Sequence, residues 1–260
     1  MQLVHTNMPF LVDSLTMTLD RLGYAIQLTI HPLVRCQRTE GGQLQQVLPR
    51  DADGGAVESF IRLDIPRETR KEKLEQIAAA LEATLTDVRA AVRDWAKMRA
   101  KMREAADDIA RRMSAQEPHA TESEALLRWL AGERYTFLGY REYLLTDTDD
   151  GPMLKPRKRS ALGVKSVAGR TGKAHPLSSA MRRFKRSDDL LLMTKARARA
   201  TVHRNSYLDY VGVKLLDDNG KVIGERRFVG LLTSQAYSDQ PKDIPLVRVK
   251  TEAVVKRAGV

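Results

Sequence analysis

The residues whose types and spacing best suit chemistry lie within the first fourteen positions: Asn7, Met8, Pro9, Phe10, Leu11 and Ser14. They follow an alternating run, Gln2 to Thr6, that reads as a short strand, and they open an apolar run at helical spacing. A strand that turns directly into a helix presents unpaired backbone N–H groups and the positive end of the helix dipole to whatever lies over the turn. An anionic group, such as the carboxylate of an amino-acid effector, suits that place. The structural alternative is a plain cap, with Asn7 before the helix and Pro9 near its first turn.

Other constellations fail on spacing. A phosphate-binding loop needs Gly-x4-Gly-Lys-Ser/Thr, so that amides wrap the phosphates and a hydroxyl reaches Mg²⁺. Gly169-Arg170-Thr171-Gly172-Lys173 is too short for this, and Ala174 stands where the hydroxyl belongs. No Gly-x-Gly-x-x-Gly occurs, so the dinucleotide fingerprint is absent. His5, His31, His119, His175 and His203 are scattered, with no pair at metal-ligand spacing. Cys36 is the only cysteine, which excludes an internal disulfide, and it has no paired base; a small buried residue is expected. His31 and Cys36 lie on one expected strand, five apart, and so face opposite ways. Asp107-Asp108 and Asp188-Asp189 read as solvated carboxylates. No catalytic, cofactor-binding or metal-binding residue is therefore expected in this chain.

The net charge of +11 is concentrated. Between Lys155 and Arg204 stand fifteen Lys or Arg against Asp188 and Asp189, a net of +13 that leaves −2 for the rest. Such a segment suits phosphate groups or an acidic surface. Nucleic acid is a poor fit, because Phe184 is its only aromatic residue and stacking platforms are lacking. No run of about 18 apolar residues exists to span a membrane. The opening MQLVHTNMPF lacks the charged and apolar regions of a signal peptide. A soluble, cytoplasmic protein is expected.

The elements that must position these residues follow from periodicity. Leu11, Val12, Leu15, Leu19 and Leu22 make Pro9 to Leu22 an amphipathic helix, ended by Gly23. Alternation from Tyr24 to about Arg38 predicts a strand, with Gln43 to Leu48 and Ser59 to Ile65 as two more. Arg67 to Glu117 contains neither Gly nor Pro, and positions 74, 78, 81, 85, 88, 92, 95, 99, 102, 106, 109 and 113 are apolar except Arg99. That 4-3 alternation predicts a long helical stretch packed along a heptad seam against a partner helix, either unbroken or divided in two by a cap at Thr86 and Asp87. Ser114 to Ala120 reads as a linker. Thr121 and Glu124 form a capping box ahead of Leu126. Tyr135 to Leu145 and Leu190 to Thr194 read as strands, with a turn at Asp147 to Gly151. Tyr207 to Leu216 and Lys221 to Thr233 are strands joined by Asp217-Asp218-Asn219-Gly220, a hairpin signal that places Asn219 and Gly220 at positive φ. Ile244 to Arg257 reads as a final helix.

The wording Asn7-Met8-Pro9-Phe10-Leu11-Val12-Asp13-Ser14 resembles the opening of an ACT-type domain. More specifically, it resembles the N-terminal region of the large bacterial NAD-specific glutamate dehydrogenases. Ile30-His31-Pro32-Leu33, Asp87 to Trp95, Tyr135 to Arg141, Thr201 to Lys214, Gly224 to Ser234 and Ile244 to Arg248 extend the resemblance in order along nearly the whole chain. It implies βαββαβ order, with amino acids bound at the strand–helix turn and Gly preferred where Phe10 stands. Asp87 to Trp95 reads as helix, so the closing strand is missing. The resemblance also implies a regulatory and assembly region whose catalytic domain, and NAD, belong to the parent enzyme. Its partners would be that enzyme's remaining domains and other subunits.

The expected fold is α/β (α+β). Residues 1–66 form an ACT-like antiparallel sheet with helices and 67–117 a long helical segment. Residues 121–260 form a second, sensor-like α/β module carrying the basic insertion 155–204.

Overall fold

The computed structural model describes residues 1–112, 118–149, 151–170 and 172–259. The fold is mixed α/β with two antiparallel sheets, divided into two compact units. The first comprises Met1–Val92 with Thr201–Asn205, the second Arg93–Ala200 with Ser206–Val260.

In the first unit Gln2–Thr6 is β1 and Leu11–Arg21 is α1. Leu11, Leu15 and Leu19, four apart on one helix face, are all buried. Gly23, at φ 83°, closes the helix, and the Tyr24 N–H donates to the Leu19 carbonyl at 3.0 Å. The strand expected from Tyr24 to Arg38 is two strands, β2 (Leu28–Ile30) and β3 (Leu33–Arg38). Pro32 between them has no N–H for a ladder, and its carbonyl accepts from the Phe60 N–H at 3.1 Å. β4 is Leu44–Leu48 and β5 is Ala56–Asp64. The sheet order is β1-β5-β3-β4, with β2 also pairing β5. Arg62 pairs with both Gln2 and Ile30, so β2 lies on the β3 side of β5.

Helix α2, Lys71–Arg112, runs 42 residues without a break at Thr86 or Asp87. The Thr86 hydroxyl bonds back to the Glu82 carbonyl at 2.9 Å, inside the helix rather than at a cap. The buried stripe differs from the expected seam. Leu81, Val88, Met102, Ala106 and Ile109 are buried as expected, but the companion line is otherwise Ile77, Thr84, Ala91, Met98 and Ala105, one residue earlier. Leu74 and Trp95 are exposed, and Met113 lies outside the described residues. In the first unit the stripe faces α1, where the Thr18 and Thr84 hydroxyls meet at 2.7 Å. No strand follows α2 among this unit's described residues, so the ACT-like βαββαβ order stays open.

In the second unit α3 spans Pro118–Trp129, three residues ahead of the expected capping box; the linker residues 114–117 lie outside the described residues. The strands are β6 (Tyr135–Thr148), β7 (Gly151–Pro156), β8 (Leu162–Gly163), β9 (His175–Pro176), β10 (Leu191–Arg199), β11 (Tyr207–Leu216) and β12 (Val222–Leu232). α4 (Ser179–Arg186) lies between β9 and β10, and α5 (Ser234–Ser238) and α6 (Val247–Ala258) follow β12. The final helix thus starts after Ile244, beyond Pro245. The sheet order is β10-β11-β12-β6-β7-β9, with β8 on β6.

The Asp217–Gly220 hairpin forms, but Gly220 alone takes positive φ, at 77°. The Asp217 carboxylate accepts from the Asn219 and Lys221 amides at 3.0 and 2.9 Å and so holds Asn219 in an ordinary turn conformation.

A bulge in β6 sets the core. Gly139 pairs with Val229 and Phe137 with Gly230, so Leu138 is an extra residue. Phe137 and Tyr140 therefore point the same way. They join Phe228, Val211 and Val213 against Met98, Met102 and Ala105 of α2 and Leu126, Leu127 and Leu130. Here α2 packs on α3, a partner helix as expected, and on a sheet as well.

Candidate functional site

The turn at the start of α1 is built by Phe10 rather than by Asn7. Phe10 takes φ 72° and ψ 0° and offers no side-chain cap. Asn7 is drawn to the sheet instead: its N–H donates to the Val57 carbonyl and its side-chain oxygen accepts from the Ser59 hydroxyl, both at 3.0 Å. The left-handed conformation costs an ordinary residue on the order of 1–2 kcal/mol. The glycine-like backbone suggested by the resemblance is thus kept while the side chain is Phe.

The first intrahelical bond runs from the Ser14 N–H to the Phe10 carbonyl at 3.0 Å. The amides of Leu11, Val12 and Asp13 therefore precede the helical ladder. Ser14 is fully buried, and its hydroxyl oxygen accepts from the His203 N–H at 2.9 Å. The His203 ring lies tilted against Phe10 with centroids 5.0 Å apart, and its Nδ1 is 3.6 Å from an Asp13 carboxylate oxygen. Met8 is half-buried and Pro9 exposed. The fold thus gathers Phe10, Leu11 and Ser14 around the helix start and ties Asn7 to β5.

This arrangement can present N–H donors, but it contains no nucleophile beside a base. Sequence reasoning missed His203 and Ser59. Thr201-Val202-His203-Arg204 stood out only through the family resemblance, and nothing in its spacing pointed to Ser14, 189 positions earlier.

Elsewhere the charged groups are largely engaged. Arg38 grips Glu58 through two bonds of 2.6 and 2.7 Å and holds that carboxyl below its usual range. Burial pushes the neighbouring Cys36 thiol up, which suits its buried position and disfavours the nucleophilic thiolate. In the basic segment Arg157 pairs with Glu142 at 2.8 Å, Lys195 with Asp209 at 2.6 Å, and Arg199 lies over Tyr207 at 4.5 Å. The Asp107-Asp108 pair is not simply solvated: Asp108 bonds to Arg226 and Arg111, and Asp107 to Arg128. Among the described residues no group of three His, Cys, Asp or Glu side chains is placed to hold a metal ion, and no helix is long and apolar enough to cross a membrane.

Comparison with known proteins places these features. Residues 1–81 match the family model for the glutamate dehydrogenase ACT1 domain. The chain is 34% identical over 263 aligned positions to an NAD-specific glutamate dehydrogenase of Pseudomonas aeruginosa, covering 99% of this chain and 16% of that protein. A Halomonas elongata protein of the same name is also 34% identical, over 98% of this chain and 16% of its own length. One from Mycobacterium tuberculosis is 27% identical, over 95% and 14%. The chain therefore spans about one sixth of the length of the curated relatives it matches. Residues 1–81 are thus similar to an ACT1 domain of the glutamate dehydrogenase type, within a chain similar over nearly its whole length to the NAD-specific enzymes.

Proposed function

We propose that this chain is the regulatory and assembly region of a cytoplasmic, oligomeric NAD-dependent glutamate dehydrogenase. The parent enzyme would convert glutamate and NAD to 2-oxoglutarate and ammonia with residues outside this chain. The observation that carries the reading is the match along 99% of the chain to enzymes of that name. The sequence carries no dinucleotide fingerprint of its own, in keeping with a catalytic domain elsewhere in the parent. Val4, Leu28 and Ile30, exposed on one face of the first sheet, give other domains or subunits of the parent something apolar to cover. The 260-residue chain should show no glutamate-dependent NAD reduction by absorbance at 340 nm. Turnover above a heat-killed control would place a catalytic centre here and overturn the reading.

A second reading is amino-acid sensing at the α1 turn, with Asn7, Met8, Pro9, Phe10, Leu11 and Ser14 around the effector. It is favoured by the left-handed Phe10 backbone and the amides that precede the helical ladder. The effector carboxylate would lie over the amides near Phe10 and Leu11. Calorimetry with a panel of amino acids should then show binding that tightens severalfold in Phe10→Gly, which opens the backbone. Silence from both forms would leave Phe10 a packing residue against His203.

A further inference from the structure

The second sheet has a polar face opposite its aromatic core. Arg141 pairs with Arg227 across β6 and β12, and Arg227 with Gly212 across β12 and β11. Arg141, Tyr143, Glu225, Arg227 and Tyr210 therefore share this face. The basic stretch runs over it. Arg141 donates to the carbonyls of Lys165 and Arg170. His175 stacks on Tyr143 with ring centroids 5.5 Å apart and approaches an Arg227 nitrogen at 3.3 Å. The Arg227 guanidinium lies 4.2 Å from the centre of the Tyr143 ring and 5.4 Å from that of Tyr210.

Two features of this face go beyond what folding needs. The first is charge. Arg141, Arg170 and Arg227 all act on the Lys165 ammonium, while the carboxylate of this face, Glu225, is engaged by Arg227 at 3.0 Å. The Lys165 ammonium has no hydrogen bond or ion pair among the described residues. Burial and the three arginines push its pKa down. The second is stranded polarity. Arg227 Nε, His175 Nδ1, Tyr210 Oη and Glu225 Oε1 are all buried without a hydrogen-bond partner, and the Glu225 side chain is only 2% exposed. Glycine at position 212 lets these two side chains close over the strand: a β-carbon there would stand 2.5 Å from Glu225 Oε1 and 2.9 Å from Tyr210 Oη. A sheet face built for stability alone would carry apolar side chains.

We propose that this face binds a compact oxyanion, the carboxylate or phosphate group of a small metabolite, with Lys165 and Arg227 as its main ligands and His175 and Tyr210 beside them. Arg227 supplies directional donors and Lys165 a point charge. Glu225 Oε1 is left to accept from a hydroxyl or ammonium group on the same ligand. Arg141 is a positioning residue that holds the Lys165 backbone. The site is separate from the α1 turn and does not depend on amino-acid binding there.

Calorimetry and thermal melting of the 260-residue chain test this, with inorganic phosphate, succinate and glutamate each compared with chloride at fixed ionic strength. At least one should bind saturably and raise the melting temperature. Lys165→Met removes a charge that bonds to nothing else described in the protein, so it should raise the melting temperature in chloride yet weaken oxyanion binding roughly tenfold or more. Arg227→Lys keeps the charge but loses the fork and should also bind more weakly. Binding of phosphate alone identifies a phosphoryl group, and binding of succinate or glutamate alone a carboxylate. No saturable binding beyond chloride, or binding unchanged in Lys165→Met, overturns the proposal. A lower melting temperature of Lys165→Met in chloride would also overturn it, by making Lys165 a structural residue.

Discussion

Phe228→Ala should lower the unfolding free energy of the second unit by about 3–5 kcal/mol, the range for emptying a fully buried phenylalanine site. Phe228 has no exposure at all and sits mid-strand in β12, paired with Tyr140. Its ring lies 4.7 Å from that of Tyr140 and 6.3 Å from that of Phe137, which in turn meets Tyr135 at 5.1 Å. Such aromatic pairs add about 0.5–1.5 kcal/mol each beyond the area they bury. Met98 and Met102, both without exposure, belong to the same core. Methionine could lean into part of the gap, which argues for the lower half of the range. The reference is Tyr237→Ala: Tyr237 is 63% exposed, and its loss should stay within about 0.5 kcal/mol. Urea denaturation followed by near-ultraviolet circular dichroism reads both. A Phe228→Ala loss under about 1 kcal/mol would mean that the aromatic file is not the core of this unit.

The elements that were legible in the sequence are those fixed by neighbours within a few residues. The leucines of α1 repeat at helical spacing and Gly23 stops them. The Asp217–Gly220 stretch makes its turn with its own carboxylate. What escaped reading depends on contacts between distant residues. Plain alternation from Tyr135 would turn Tyr140 outward, and only the bulge at Leu138, set by pairing with β12, brings it in. His203 reaches Ser14 from far along the chain. Arg141 and Arg227 lie within the expected strands, but nothing in their spacing shows that the fold lays backbone carbonyls and tyrosine rings against them. The turn from β1 into α1 was legible as local structure. Its left-handed residue and its cover were not, since neither leaves a trace in spacing.

Helix α2 supplies the sharpest test of that difference. Counting apolar side chains puts Val92 on the seam and leaves Ala91 off it. The structure reverses them: Ala91 is 2% exposed, whereas Val92 is only half-buried. The reason is that small residues do not announce themselves. Thr84, Ala91 and Ala105 lie on the buried line, where a close approach of neighbouring elements suits a short side chain, while Leu74, apolar and on the counted seam, is exposed. Ala91→Asp should therefore cost about 4 kcal/mol or more, because it forces an unpaired carboxylate and extra volume into a filled space. Val92→Asp should cost clearly less, since its carboxylate can reach water, although valine is the larger and more apolar residue to lose. Leu74→Asp, at 47% exposure, should change stability by no more than about 0.5 kcal/mol. Thermal and urea unfolding of the three variants decides the order. If Val92→Asp proves the most damaging, the helix buries the counted seam, and the line through Thr84 and Ala91 faces solvent instead.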